Sequence, residues 1–159
     1  MKFNSALRNF ILVLFSTLLI SACSMTKKAS VDTVDDVYTG TDTVEYLAKG
    51  VPDRVFFATN KSKLTTRSRD TLRKQASWLR KNKDVTVTVE GHADERGTRE
   101  YNLALGERRA NAAKDYLMTY GISGKRISVI SYGKEKPVNP ASSPLAWSQN
   151  RRSVTVKAN

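Results

Sequence analysis

Apolar and polar residues alternate along several short segments of the chain, which is the pattern of β-strands. Residues 84–90, DVTVTVE, put three valines on one face and two threonines with Glu90 on the other. Three other runs have a similar β-rich character: DRVFFA at 53–58, RISVISY at 126–132 and RSVTVKA at 152–158. Because strands covered on both faces usually lack such alternation, the sheet is expected to carry helices on one face only.

Two further segments space their apolar residues three or four positions apart, as helices do. Residues 65–82 form the first, with Thr65 or Thr66 placed to cap it. The second spans about residues 100–120 and ends at Gly121, which suits a helix C-cap. The order β-α-β-α-β-β predicts an α/β fold, a two-layer sandwich in which a mixed sheet carries both helices on one face.

The first 22 residues have the layout of a secretory signal peptide. Lys2 and Arg8 precede the apolar run FILVLFSTLLI, which is about half the roughly 20 residues that a membrane span needs. The following residues, ISAC, resemble the bacterial lipobox, in which the cysteine becomes the mature N-terminus and carries the lipid. Cys23 is therefore the predicted lipidation site, and Ser24 after it favours the outer membrane. An uncleaved membrane anchor is the alternative.

The remaining chain divides into two parts by composition. Residues 23–49 are rich in Thr, Ser and Asp with little periodicity, and they predict a lipidated N-terminus followed by a flexible tether. Residues 50–159 form the predicted domain. The chain carries 27 Lys+Arg against 15 Asp+Glu, a net charge of +12 that suits an anionic polymer or surface. Export from the cytoplasm argues against nucleic acid as the partner.

The densest cluster of reactive side chains lies at residues 91–102, GHADERGTREYN, directly after a predicted strand. Loops at the carboxyl ends of strands are common ligand sites in α/β sheets. Further along, Arg109 shares a helix face with Leu105, four positions earlier. A guanidinium in partly apolar surroundings needs an acidic partner or a ligand, and Asp94 is the candidate neighbour.

These residues by themselves leave several kinds of site open. His92, the only histidine, alternates with Asp94, but no second histidine or free mature cysteine completes a metal site. Glu90 and Asp94 are a possible acid and base for glycoside hydrolysis, although nothing marks a raised pKa in either. The remaining interpretations are a structural role for His92 and a pocket that grips a charged ligand.

Three long motifs are similar to one known family. VTVEGHADERGTREYNLALGERRANAAKDYL at 87–117, SYGKEKP at 131–137 and SQNRRSV at 148–154 resemble the peptidoglycan-associated lipoproteins, a group within the OmpA-like C-terminal domain family. The resemblance covers about residues 50–159. It implies non-covalent binding of peptidoglycan through diaminopimelate of the stem peptide, without enzymatic turnover, cofactor or metal. It also implies a lipid-anchored place in the outer membrane, facing the periplasm.

The same resemblance implies a role in a Tol–Pal system that supports envelope integrity and cell division, with a TolB-like periplasmic protein as partner. Two alternatives stand beside it. One is an OmpA-like adaptor whose main ligand is a periplasmic protein, and the other is a cell-wall hydrolase.

The resemblance also implies the roles of individual residues. Asp94, in the G-H-x-D pattern, is expected to bind the ammonium of diaminopimelate, and Arg109, in L-x-x-x-R-A, its carboxylate. Three positions match the pocket's surroundings as loop cap, orienter and wall: Thr98, Asn102 and Leu105. Asn60 departs from the pattern, because it stands where the family often has a second aspartate, and an amide contributes no charge to the grip on the amine.

The first predicted helix and its flanks are unusually basic. The cations concerned are Lys61, Lys63, Arg67, Arg69, Arg73, Lys74, Arg80, Lys81 and Lys83. A solvated face and a contact with anionic peptidoglycan or an acidic partner both remain open interpretations.

Overall fold

The structure, a computed structural model, describes residues 36–158. Its strands are β1 (Tyr46–Ala48), β2 (Val51–Pro52), β3 (Arg54–Phe56), β4 (Val87–His92), β5 (Ile127–Gly133) and β6 (Arg152–Lys157). Its α-helices are α1 (Thr66–Lys81), α2 (Arg99–Thr119) and α3 (Pro144–Asn150), and a short 3-10 helix at Gly124–Arg126 precedes β5. The predicted signal peptide and Cys23 lie outside the described residues.

The main sheet has the strand order β3-β6-β4-β5. Strands β4 and β5 run parallel, whereas β6 is antiparallel to both of its neighbours, so the sheet is mixed. One face of β4 is buried through Val87 and Val89. These valines pack in one core with residues of both long helices, among them Leu72, Leu79 and Leu117. The predicted α/β fold is confirmed.

Three elements were not predicted: the β1–β2 hairpin, the short helix α3 and the 3-10 helix. Strands of two or three residues are too short to show a period, and α3 offers only two turns. Strand β4 also begins and ends a few residues later than predicted, because the chain pairs with β5 from Val87 onwards.

The prediction of a flexible tether is wrong for residues 36–49, which pack against the domain. Tyr38 lies edge-on against Phe56 with 4.8 Å between ring centroids, and Leu47 belongs to the hydrophobic core. Asp42 accepts a hydrogen bond of 2.9 Å from the Gln149 amide. Apolar residues spaced singly among polar ones show no period, which is why the pattern did not reveal this packing. No helix in the described part of the chain is long and apolar enough to cross a membrane.

Candidate functional site

The loop after β4 is fixed by the start of α2. The Thr98 hydroxyl caps the helix by accepting a hydrogen bond of 3.2 Å from the Tyr101 amide. The buried side chain of Asn102 donates to the carbonyl of Arg96 at 2.8 Å. The geometry at Thr98 and Asn102 is that of a cap and a loop support, and together they set the conformation of residues 94–98.

Arg109 is fully buried, and it bonds to backbone rather than to an acid. Its guanidinium donates to the carbonyls of Lys61 at 2.9 Å, His92 at 2.8 Å and Ala58 at 3.1 Å. Asp94, the candidate neighbour, is close enough for its charge to act on Arg109, but no hydrogen bond joins the two side chains. Burial, together with the nearby charge of Arg151, lowers the pKa of the Arg109 guanidinium to about 10, although the Asp94 charge opposes this. Arg109 therefore ties β4 to the turn after β3.

Asp94 is held by two other arginines. Arg96 donates to it from its backbone amide at 3.1 Å and from its side chain at 3.1 and 2.8 Å. Arg151 adds a longer contact of 3.4 Å. Burial raises the pKa of the Asp94 carboxyl, but the hydrogen bonds and charges of the two arginines outweigh it and hold that pKa below its usual range. Asp94 is thus an ionised carboxylate at neutral pH.

Arg151 links this carboxylate to the N-terminal part of the domain. Its side chain is buried and donates to the carbonyl of Phe57 at 3.1 Å and to the carbonyl of Asp36. The Asp36 carboxylate lies 3.5 Å from the same guanidinium. Four charged groups from three separate parts of the sequence, Asp36, Asp94 with Arg96, and Arg151, therefore meet in one place.

A cavity of about 300 Å³ opens beside these four groups. It is lined by Asp36, Val37, Thr59, Arg96, Pro144, Trp147, Ser148 and Arg151. The guanidinium of Arg96 stacks 4.3 Å above the centre of the Trp147 ring. The indole of Trp147 in turn donates to Glu95 at 2.8 Å, so the aromatic wall is fixed in place.

The charges around the cavity do not balance. The cavity lining carries two arginines, Arg96 and Arg151, against one carboxylate, Asp36, which leaves one positive charge in excess in the lining itself. Asp94 and Glu95 lie outside the lining and bond to Arg96 and Trp147. Burial, and to a smaller extent the Arg96 charge, lower the pKa of Arg151, although both carboxylates oppose this, whereas the bonds to Asp94 raise the pKa of Arg96. A planar guanidinium with unfilled donors binds carboxylates well, so this cavity favours an anionic group.

None of the six predicted pocket residues is among those that line the cavity, and two of them, Asn60 and Leu105, also take no part in the charged cluster beside it. Asn60 is exposed and adopts a φ of 55°, a left-handed conformation that asparagine tolerates in turns. Leu105 is buried on α2. Asp94 thus lies in the charged cluster and acts on Arg109 only through its charge. Thr98 and Asn102 support the loop that carries Asp94, whereas Asn60 and Leu105 lie apart from the cluster.

His92 is a buried, neutral residue. Its ring stacks on Tyr132 with 5.5 Å between centroids, and its Nε2 lies 3.6 Å from the Glu90 carboxylate. Burial, then the charge of Arg152, lowers the pKa of His92 to about 3. Within residues 36–158, no group of three or more His, Cys, Asp or Glu side chains is placed to hold a metal ion.

Sequence reasoning missed the residues that line the cavity, above all Arg96, Arg151 and Asp36. The available signal for Arg151 was its place in SQNRRSV, one of the stretches that carry the family resemblance. Asp36 gave no signal, because it lies in a segment without periodicity. Arg96 stood in the cluster at residues 91–102, but spacing alone did not distinguish it from Arg99.

The fold and the cavity define the class of protein: an OmpA-like α/β domain with a cationic cavity beside the loop after β4. A profile of the OmpA family matches residues 56–151, and the chain belongs to this family. The chain is 56% identical over 106 residues to the peptidoglycan-associated lipoprotein of Rhizobium meliloti, covering 67% of this chain and 60% of that protein, less than two thirds of its length.

Two further comparisons agree. The peptidoglycan-associated lipoprotein of Brucella melitensis is 42% identical over 150 residues, which cover 91% of this chain and 89% of that protein. Among solved structures, the peptidoglycan-associated lipoprotein from Burkholderia pseudomallei matches with a TM-score of 0.65 and 34% identity, over 67% of this chain and 90% of that one.

Proposed function

We propose that this protein is an outer-membrane lipoprotein that binds peptidoglycan non-covalently and ties the outer membrane to the cell wall. The observation that carries the proposal is the cavity with an excess positive charge, next to a carboxylate held by arginines. The relatives named peptidoglycan-associated lipoproteins support the ligand class. A cross-linked anionic polymer also suits the net charge of +12.

Diaminopimelate of the stem peptide has the two charges that this site can pair. Its free carboxylate fits against Arg151 and the backbone amide of Thr59, and its ammonium fits the carboxylate of Asp94. The Arg96 side chain is 42% exposed whereas that of Asp94 is 9% exposed, so Arg96 is the partner that the ammonium replaces. An exposed guanidinium loses little when it returns to water.

The other predicted residues support this site from behind. Arg109 uses three of its five N–H groups on carbonyls, which leaves two for a ligand carboxylate that reaches that depth. Four positions complete the proposed surroundings: Thr98 and Asn102 as supports of the loop, Leu105 as a packed wall residue and Asn60 at the turn after β3.

The electrostatics favour binding without turnover. A glycosidase needs a carboxylic acid that stays protonated near neutral pH. The pKa of Asp94 is held below its usual range, so this residue is a poor proton donor. Glu90, the other candidate, lies beside the ring of His92 rather than at the cavity.

The proposed cellular setting follows from the family. The lipid on Cys23 anchors the chain in the outer membrane, facing the periplasm. A Tol–Pal system with a TolB-like periplasmic protein is the proposed assembly, in support of envelope integrity and cell division.

Co-sedimentation of the full chain with diaminopimelate-containing peptidoglycan tests the proposal. Asp94→Asn removes the charge that pairs with the ammonium at nearly constant shape, and it is expected to weaken retention about tenfold or more. The control is Asp115→Asn, the same chemical change on the exposed side of α2. Free diaminopimelate should compete for the parent protein.

Two results would contradict the proposal. Equal retention of Asp94→Asn and the parent would remove the pocket assignment, and no retention of the parent would leave a protein ligand as the better alternative. Release of soluble fragments from the peptidoglycan would revive the hydrolase.

A further inference from the structure

The cavity already holds a carboxylate that belongs to the chain itself. The Oδ2 atom of Asp36 accepts a hydrogen bond of 2.7 Å from the backbone amide of Thr59. The guanidinium of Arg151 lies 3.5 Å from the same oxygen and also donates to the Asp36 carbonyl. An N–H donor and a guanidinium converging on one carboxylate are the groups that recognise any carboxylate.

The segment that carries Asp36 is latched to the domain at separate points. We refer to residues 36–42 as the N-terminal strap. Tyr38 anchors it by packing on Phe56, and Asp42 anchors it through Gln149. Asp36 precedes both anchors in the chain, and its side chain, which lines the cavity, remains 43% exposed.

This contact is a favourable one that costs little to exchange. Burial raises the pKa of the Asp36 carboxyl, but the hydrogen bond from Thr59 and the charge of Arg151 more than offset this, and the carboxyl is ionised at neutral pH. The Asp36 carboxylate is 43% exposed and returns readily to water, whereas the buried Arg151 keeps its contacts with Asp94 and the Phe57 carbonyl when Asp36 leaves. A ligand carboxylate that enters the cavity can therefore take the same donors.

We propose that Asp36 occupies the subsite for the ligand's carboxylate, so that the N-terminal strap is an intramolecular competitor of the ligand. This inference rests on the proposed function. The Thr59 amide has one N–H, which Asp36 takes, and Arg151 already pairs with both Asp36 and Asp94. A ligand carboxylate at the same donors would lie in contact with that of Asp36, and like charges at contact distance repel. The strap carboxylate must leave before the ligand binds, so the apparent affinity equals the intrinsic affinity multiplied by the fraction of molecules in which the cavity is open.

The test compares the full chain with two variants by calorimetric titration with free meso-diaminopimelate, backed by co-sedimentation with peptidoglycan. Asp36→Asn removes the competing charge, and Tyr38→Ala releases the latch without changing any charge. Both are expected to lower the Kd about threefold to tenfold, since the open cavity becomes the main population. Asp115→Asn, which removes an equal charge elsewhere, is expected to leave the Kd unchanged.

The outcomes separate this inference from the proposed function. If the parent binds and Asp36→Asn binds equally, the competitor is ruled out while peptidoglycan binding stands. Weaker binding by Asp36→Asn would make Asp36 a ligand-binding group and overturn the inference. If Asp36→Asn binds more tightly but Tyr38→Ala binds like the parent, the gain comes from the lost charge alone and not from release of the strap. This result would also overturn the inference. Binding by neither the parent nor the variants would overturn both.

Discussion

Arginine side chains act as clamps between backbone segments in this domain. Arg109 joins three carbonyls from two separate segments, and Arg126 joins the carbonyls of Leu79, Asn82 and Val85. Each guanidinium offers five donors in a fixed plane, which suits it to satisfying several carbonyls at once. Loss of such a group leaves buried acceptors without partners, at about 1–3 kcal/mol each.

His92 is the other buried group that responds to its surroundings. Burial and neighbouring cations lower the pKa of its ring to about 3 in the folded protein, so the ring is neutral at higher pH. The unfolded chain has the ordinary histidine pKa near 6.5 and binds a proton in the interval between these values. The contribution of His92 to the free energy of unfolding is therefore fully present above pH 6.5, and it decreases as the pH falls below that value.

Acidification from pH 6.5 to 5 should therefore reduce the free energy of unfolding by about 1 kcal/mol or more, at a limiting slope of about 1.4 kcal/mol per pH unit. Urea unfolding of the full chain at several pH values measures the slope. His92→Phe keeps an aromatic ring against Tyr132 and should abolish it. Because His92 is the only histidine, an unchanged slope in that variant would contradict the explanation.

At the scale of elements, the site depends on how closely α2 approaches β4. A Cβ atom on Gly91 would lie 1.8 Å from the carbonyl oxygen of Gly106, and one on Gly106 would lie 2.4 Å from the Ser131 hydroxyl oxygen. These two glycines let the helix backbone rest on the strand. Glycine inside a helix is about 1 kcal/mol less favourable than alanine, so the close contact is retained despite a poor local propensity.

Gly91→Ala and Gly106→Ala should both lower the free energy of unfolding by about 1–3 kcal/mol or more, because backbone atoms cannot yield to the added methyl group. For Gly106 this sign is the opposite of what helix propensity predicts. Gly124→Ala is the control, since its Cβ would meet only the flexible Met118 side chain at 3.3 Å. Urea unfolding checks the three variants, and a more stable Gly106→Ala protein would disprove the close contact.

At the scale of the whole molecule, the proposed function combines a lipid anchor at Cys23 with a peptidoglycan-binding cavity in the domain. The described domain begins as early as Asp36, so the chain between Cys23 and the cavity is shorter than the sequence suggested. Thirteen positions separate Cys23 from Asp36 along the sequence, against the 26 that separate Cys23 from the end of the predicted tether at Lys49.

Cys23→Ser should separate the two proposed activities. Without the thiol no acyl chains attach, and the variant should leave the membrane fraction, since stable anchoring needs more than one chain. Retention on isolated peptidoglycan should stay at the parental level. Fractionation of cells expressing each form measures the first effect, with Ser24→Ala as the neighbouring control. Membrane partition equal to the parent would contradict the lipid anchor.

The sequence predicted much of the fold and part of the site. Alternating valines and spaced leucines indicated the main strands and helices, because these periods depend only on neighbours along the chain. The segment around Asp94 was found from its density of charged groups. Its partners Arg96 and Arg151 were not assigned, and the tether prediction overlooked the packing of Tyr38.

By itself, the sequence determined the element order, the mixed α/β sandwich and the family motifs, all of which are written in local patterns. Only the tertiary structure decided which charges meet. Arg151 lies 57 residues from Asp94 and 115 from Asp36, and these side chains converge because β6 sits between β3 and β4 in the sheet. Pairing at such separations is a property of strand order and burial, and neither is visible in the spacing of residues along the chain.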